Sequence, residues 1–351
     1  MGFIALILAL MLEQLRPLPR DNAVHRVAAR VADAIAGATD TGERYKGVIG
    51  WCLAVGAAVL SILLAEWVLG AISAPLVLAL HVVVLYHTVG FRQVSHAFSE
   101  IQLALAANDP EGARQALQRW IQQQDPEFVA GDLPVPELCR TAISHALLTA
   151  HRHVFGPLFW YVLLPGAIGP VVYRAARFLA DHWARGGHPP PAAAADPAAP
   201  APGAPAVATP GHEPFGWFAR QAFHWLDWLP VRLGALGFAI VGNFEDAVYC
   251  WRAAAANPGP DSQRRILLLT GGGALGVRLA DPRTEAEMRG ADASPEGDAP
   301  GPAAGAAGGF EWTAAEPDAG SLRSAVGLVW RSVVLWIVLF GMLTIANWLG
   351  R

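Results

Sequence analysis

Three long apolar runs constrain this chain more than any other feature: Gly47 to Leu69, Ala71 to Phe91 and Val326 to Leu349. Each holds about the 20 residues that a helix rising 1.5 Å per residue needs to cross a hydrocarbon core. With no water there to satisfy exposed backbone, such runs must be helical. Composition points the same way, since 54% of the residues are hydrophobic and 15% charged, more apolar than one soluble core requires. The first two runs are expected to form a helical hairpin, broken at Gly70, Ser73 and Pro75, with Trp67 and Tyr86 near span ends where amphipathic rings prefer the headgroups. In the third, Arg331 can snorkel from one end, and Trp348 and Arg351 mark the other interface. The expected fold class is all-α: a polytopic helical membrane protein of four to six membrane segments, with a cytoplasmic helical insertion and flexible Pro/Ala/Gly-rich tracts.

Weaker segments fill in the plan. Gly2 to Leu12 is apolar, yet no basic residue precedes it and no small-residue cleavage site comes after it, because the run meets Glu13, Gln14 and Arg16. It reads as a retained short or re-entrant segment rather than a signal peptide. Phe155 to Tyr173 is interrupted by Pro165, Gly166, Gly169 and Pro170, and Leu229 to Gly242 is short and carries Arg232. Irregular backbone at membrane depth must be buried in protein or line a polar cavity, so this is either where a site is built or a packed kink. Between Arg92 and Val154 the apolar positions Val94, Phe98, Ile101 and Leu105, then Ala113, Leu117, Trp120 and Ile121, recur at helical spacing outside the lipid. Asp109-Pro110-Glu111 marks one helix start, and Pro134 and Pro136 precede another near Glu137. The resulting divisions are 1–91 with the hairpin at 47–91, the insertion at 92–154, the broken segment at 155–185, a linker at 186–214, an amphipathic or membrane segment at 215–252, an extramembrane loop at 253–324 and a C-terminal membrane helix at 325–351. Residues 186–214 and 290–320 are Pro/Ala/Gly tracts expected to be flexible.

The short loop 16–46 carries Arg16, Arg20, Arg26, Arg30, Arg44 and Lys46, which by the positive-inside rule makes it cytoplasmic and returns 92–154 to the same side. A net charge of −4 leaves no basic surplus for nucleic acid, and membrane lipid is the expected partner. Cys52, Cys139 and Cys250 are too dispersed for a metal set or a disulfide framework. His145 and His151 share a helical face while His153 does not, and no carboxylate joins them, so no metal site is expected. His81 and His87, inside the second run, suit an intramembrane polar role or burial with satisfied partners. Glu66 and Glu13 are expected to pair with Arg16 or Arg92. Arg174, Arg177 and Arg232 offer either a cationic pocket for an anionic ligand or headgroup, or interface anchors. Neither a nucleophile triad nor a P-loop is present.

Gly271, Gly273 and Gly276 satisfy G-x-G-x-x-G after the strand-like Ile266 to Thr270, but Pro282 cuts short any helix beyond them and no βαβ unit surrounds the motif. The run Gly273-Ala274-Leu275-Gly276-Val277-Arg278-Leu279 instead resembles a late stretch of the CobD/CbiB family of cobalamin-pathway membrane proteins. In the same order, Arg92, His96 and Asp109 to Arg114 resemble its polar helices, Asp125 lies where its Gly-Arg-Asp-Thr motif has the aspartate, and Glu137 and Arg140 match its next helix. Pro157 to Trp160, Pro165-Gly166, Tyr173 and Leu226 to Leu233 look like its broken segment and its Asn-Trp-Ile-Pro-Ala-Arg-Leu stretch.

This resemblance implies an integral, multi-pass protein of the bacterial inner membrane. It also implies an ATP-dependent amide-forming synthase that attaches aminopropanol or its phosphate to the carboxylate of adenosylcobyric acid, with Mg²⁺ and ATP needed only on that reading. Its ligand-contact candidates are Arg92, His96, Asp125, Glu137, Arg140, Arg174 and Arg232, and a corrinoid is the implied ligand. The family's acidic helix is replaced, however: from Arg140 onward Ser144 and Leu148 stand at its glutamates, Thr149 at its asparagine, Arg152 at its aspartate and His153 at its glycine. Arg177 and Ala180 likewise replace a polar pair in its Asn-Thr-Leu-Asp segment. Hard cations need oxygen ligands and are repelled by guanidinium, so catalysis is expected to be weakened or lost. The alternative resemblance is to AmpE, which implies a non-enzymatic membrane sensor linked to β-lactamase or cell-wall regulation and meeting a cytoplasmic protein.

Overall fold

The computed structural model describes residues 2–15, 23–39, 44–90, 92–185, 215–256, 259, 261–279 and 314–350. The tract 186–214 and most of 290–320 lie outside them. Among the described residues the regular elements are helices: α1 (Gly2–Leu15), α2 (Ala23–Thr39), α3 (Arg44–Ile72), α4 (Ala74–Thr88), α5 (Arg92–Ala106), α6 (Pro110–Gln122), α7 (Val135–Ala150), α8 (Gly156–Leu163), α9 (Ile168–Arg185), α10 (Trp217–Val241), α11 (Phe244–Ala256), α12 (Ser262–Leu275) and α13 (Ala319–Leu349). A single π-helical turn, His151–Phe155, comes directly after α7. Among the described residues two helices, Tyr45–Ile72 and Ala319–Leu349, are long and apolar enough to cross a membrane.

Local chemistry explains the boundaries. The Asp109 carboxylate accepts from the Gly112 amide at 2.9 Å, with Pro110 and Glu111 in the first turn of α6, as the sequence predicts. Asp318 and Ser321 form a reciprocal capping box that starts α13. The end of the second Pro/Ala/Gly tract is therefore ordered rather than flexible, because Ala315 bridges Val277 and Asp318 caps a helix.

Four further expectations need correction. Residues 16–46 are not simply a loop, since α2 occupies their centre; its alanines favour helix, and Ala32 and Ala36 recur at helical spacing on a buried face. The second run yields a helix of 15 residues, about 22 Å long and short of a full hydrocarbon crossing, because Ser73 is extended before Pro75 and Val89 is extended after Thr88. Leu229 to Gly242 is not a separate short segment but the latter part of α10, which runs through Pro230. Ile266 to Thr270 is helical, not strand-like, because its apolar run is buried by α7 and α11 around α12.

The chain divides into two compact units, 1–90 with 156–229, and 91–155 with 230–351. In the first, α3 packs against α2, α4 and α9, and α1 against α4. Its core joins Ala32, Ala36, Val55, Leu179, Trp183 and Ala219. In the second, α7 is enclosed by α5, α6, α12 and α13, and α11 lies along α12. That last contact needs small residues. A Cβ on Gly273 would lie 2.6 Å from the Asp246 carbonyl oxygen, and one on Gly242 would lie 2.7 Å from the Ala274 Cβ. The backbones are therefore closer than side chains would permit.

Candidate functional site

In the second unit, the start of α7 brings together residues far apart in sequence. Glu137 and Arg140, one turn apart, form an ion pair. Arg140 is buried, and its Nε donates to the carbonyl of Arg278 at 3.2 Å. Arg278 is placed by the end of α12. Gly276 adopts φ 70° in the left-handed region, and the Val277 amide donates to the Gly272 carbonyl at 3.0 Å, closing the helix. The chain then extends, with Arg278 N–H donating to Ala315 O at 3.0 Å and Ala315 N–H to Gly276 O at 3.1 Å. The glycine run thus sits at a helix C-terminus, the negative end of its dipole, whereas a pyrophosphate requires the N-terminus. It is a packing and capping device, not a nucleotide cradle.

Glu137, Arg140, Ser144 and Leu148 fall on one stripe of α7, within an arc of roughly 80° at 3.6 residues per turn. Two of the acidic positions implied by the resemblance therefore lie along this stripe, where the chain supplies a half-buried Ser144 and a buried Leu148. The remaining carboxylate, Glu137, is engaged by Arg140. The stripe does not fit Mg²⁺-ATP, which needs several free oxygen ligands. Among the described residues there is no group of three or more His, Cys, Asp or Glu arranged to hold a metal.

The other candidates are dispersed. Arg114 Nε donates to Leu133 O at 2.9 Å, near the start of α7, and Gln124 Nε2 to Thr149 Oγ1 at 3.5 Å, near its end, so α6 and α7 run in the same direction. Asp125 thus belongs to the end of α7 remote from Glu137, roughly 13 Å along the axis from Arg140. It accepts from the Glu127 amide at 3.3 Å. The side chains of Arg92 and His96 lie outside the described residues. Arg174 is half-buried on α9 in the first unit, and Arg232 half-buried on α10 in the second. Arg177 pairs with Asp181 at 2.7 Å and lies 5.4 Å over the Phe223 ring. His145 meets Trp120 edge-on at 4.6 Å, and His151 is buried at the π turn. Cys139, fully buried beside the Glu137–Arg140 pair in sequence, has its thiol pushed up to about 11 by burial, with the Asp318 carboxylate adding to the effect.

The first unit holds a polar network that the sequence reveals only in part. Glu66 Oε1 lies 3.0 Å from His81 Nε2 and accepts from the Ala167 amide at 2.8 Å, while the side chains of Arg16 and Arg92, its expected partners, lie outside the described residues. His81 Nδ1 lies 3.2 Å from the Tyr161 hydroxyl, which also reaches the Gly2 carbonyl at 3.1 Å. One cluster therefore ties α1, α3, α4, α8 and the turn before α9. Gly166, at φ 68°, makes that turn, and a Cβ there would lie 2.5 Å from Glu66 Oε1. Nearby, Tyr173 donates to the buried Asp227 at 2.8 Å, and Trp160 Nε1 to Leu226 O at 3.3 Å, anchoring the start of the Leu226 to Leu233 motif.

Fold and site together describe an all-helical protein whose matched motifs meet at the start of α7. The chain belongs to the CobD/CbiB family: the family described as CobD/Cbib protein matches residues 3–183. The family described as regulatory signalling modulator protein AmpE matches residues 219–270. Among curated relatives, a cobalamin biosynthesis protein CobD of Stutzerimonas stutzeri is 29% identical over 97% of both chains. A second, of Chromobacterium violaceum, is 30% identical over 64% of both chains. No solved structure matches.

Proposed function

We propose that this protein serves cobalamin biosynthesis as a multi-pass protein of the bacterial inner membrane, at the step that joins aminopropanol or its phosphate to cobyric acid, with catalysis weakened or lost. The observation that carries this reading is the meeting of Glu137, Arg140 and the Gly273–Leu279 motif, two family-like stretches separated by more than a hundred residues. A fold that keeps this junction keeps the frame of the family site. The α7 stripe has Ser144 and Leu148 where carboxylates would hold Mg²⁺, the ion whose charge neutralises phosphate, which is the physical reason for weakened chemistry. Glu137, Arg140, Asp125, Arg92 and His96 remain the contacts for a corrinoid or its amine partner on this reading, with Arg174 and Arg232 as outlying cations.

The membrane assignment is supported by α3 and α13, whose exposed faces include Leu60, Leu64, Trp67, Val338, Met342 and Leu343. The AmpE match over residues 219–270 favours a second reading, a non-enzymatic membrane sensor whose helical insertion at 92–154 meets a cytoplasmic protein.

The test is complementation of a strain lacking the CbiB-type synthase, scored as cobalamin-dependent growth on cobyric acid. No rescue by the native chain and gain of rescue by Ser144→Glu with Leu148→Glu would support a weakened synthase. Full rescue by the native chain would overturn the proposed loss of catalysis. Failure of both, with the protein confirmed in the membrane, would favour the sensor reading.

A further inference from the structure

We infer that α2 is an interfacial helix that lays a valine face into the bilayer and turns arginines toward anionic lipid headgroups. This rests on the membrane reading of α3.

The helix has three faces rather than two. Ala32 and Ala36 are buried and Ile35 packs beside them against α3 and α9. Val24, Val27 and Val31 are 57%, 56% and 43% exposed and share an arc of roughly 80° with the exposed Ala34 and Ala38. Arg26, Arg30 and Asp33 occupy a separate, exposed arc. Asp33 lies 2.7 Å from His182, and the two arginines outnumber it on that face. A soluble helix needs one apolar face, and the second here is left exposed among the described residues. An apolar arc bordered by arginine is what an interfacial helix presents to acyl chains and anionic headgroups.

The packing also gives α2 a suitable direction. The His25 ring lies 5.2 Å from Phe178, Asp33 meets His182, and Trp183 Nε1 donates to Ala32 O at 3.4 Å. About 12 Å of α2, from residue 25 to 33, is thus matched to about 6 Å of α9, so α2 crosses α9 obliquely. At the other end of α2, Gly50 faces Thr39 and Ile35, placing that end against the early turns of α3. With 29 residues, α3 measures about 43 Å and exceeds a hydrocarbon core of about 30 Å, so its early turns fall in the interface. An oblique helix at that level lies where chain and headgroup meet.

The test uses the full chain with Cys52→Ala, since Cys139 and Cys250 are buried and Cys52 is exposed. Single cysteines at Val27, Gly37 or Leu60 carry a polarity-sensitive fluorophore, and the protein is reconstituted in phosphatidylcholine vesicles with or without phosphatidylglycerol, using lipid spin-labelled near the headgroup for 27 and 37 and deep in the acyl chain for 60. Position 37 is on the arginine side, and a side chain there meets nothing within 4 Å. The expected result is blue-shifted emission quenched by spin-labelled lipid at 27 but not 37, deepened by phosphatidylglycerol and weakened by Arg26→Gln with Arg30→Gln. Water-like emission at 27 with quenching at 60 would overturn the inference while leaving the membrane reading intact. A blue shift at 27 without quenching would mean that protein covers the face, and would overturn it too. An unquenched label at 60 would remove the membrane reading and the inference with it.

Discussion

At the residue scale, the Glu66–His81–Tyr161 network concentrates the polar cost of the first unit. Each member satisfies another, so removing one leaves its neighbours underbonded in apolar surroundings. His81→Ala is expected to lower stability by about 1–3 kcal/mol, and Tyr161→Phe by about 0.5–1.5 kcal/mol, measured by thermal denaturation in mild detergent. An unchanged melting curve for His81→Ala would show that the network contributes nothing. Cys139 gives a pH signature of defined sign. Its folded thiol titrates at about 11, above the ordinary 9.0. The contribution is therefore full below pH 9 and lost as pH rises toward 11, because the unfolded chain releases its proton first. Denaturant titrations across this window should show a smaller alkaline loss for Cys139→Ala than for the native chain. His81 and His87 stood out in the sequence as polar groups within an apolar run, but Glu66 as the partner of His81 did not. Fifteen residues and a helix break separate them, so only the folded hairpin brings them together.

At the element scale, sequence pattern served well where a cap or a long period was present and poorly where tertiary packing decided. Asp109-Pro110-Glu111 announced α6, and the apolar runs announced α3 and α13. The Ile266 to Thr270 run of α12 misled because β-branched and leucine-rich stretches read alike as strand or buried helix, and only its packing against α7 and α11 distinguishes them. That contact supplies a prediction: Gly273→Val forces a side chain into the Asp246–Ala247 backbone and should destabilise by about 1–3 kcal/mol or more, with Gly327→Val in α13 as the control. A Cβ on Gly327 meets nothing within 4 Å. Chemical denaturation would compare the two, and equal losses would sink the close-packing account. The candidate site was half legible: Glu137 and Arg140 were singled out, while the backbone of Arg278, which holds Arg140, could not be paired with it across the intervening chain.

At the scale of the whole molecule, the decisive question is which solvent surrounds the exposed apolar helices. Val338, at the middle of the Val326 to Leu349 run, is 51% exposed on α13. In water, Val338→Arg should alter stability by no more than about 0.5 kcal/mol, whereas at the centre of a bilayer the same charge costs about 2.5–3.5 kcal/mol. Membrane fractionation after expression separates these cases, and depletion of the variant from the membrane fraction is the expected result. The first half of α13 buries Leu322, Ala325, Leu328, Val329 and Val333 against the second unit, and the last half exposes Val338, Leu339, Met342, Leu343 and Ile345. On the membrane reading, one uninterrupted rod is therefore asked to dissolve in two media. Plain buffer suits its beginning and strands its end, and a strong detergent suits its end and loosens its beginning. Extraction conditions that preserve this protein must be gentle enough for the packed half and apolar enough for the bare one, and the loss of either half's preferred medium will be felt along the same helix.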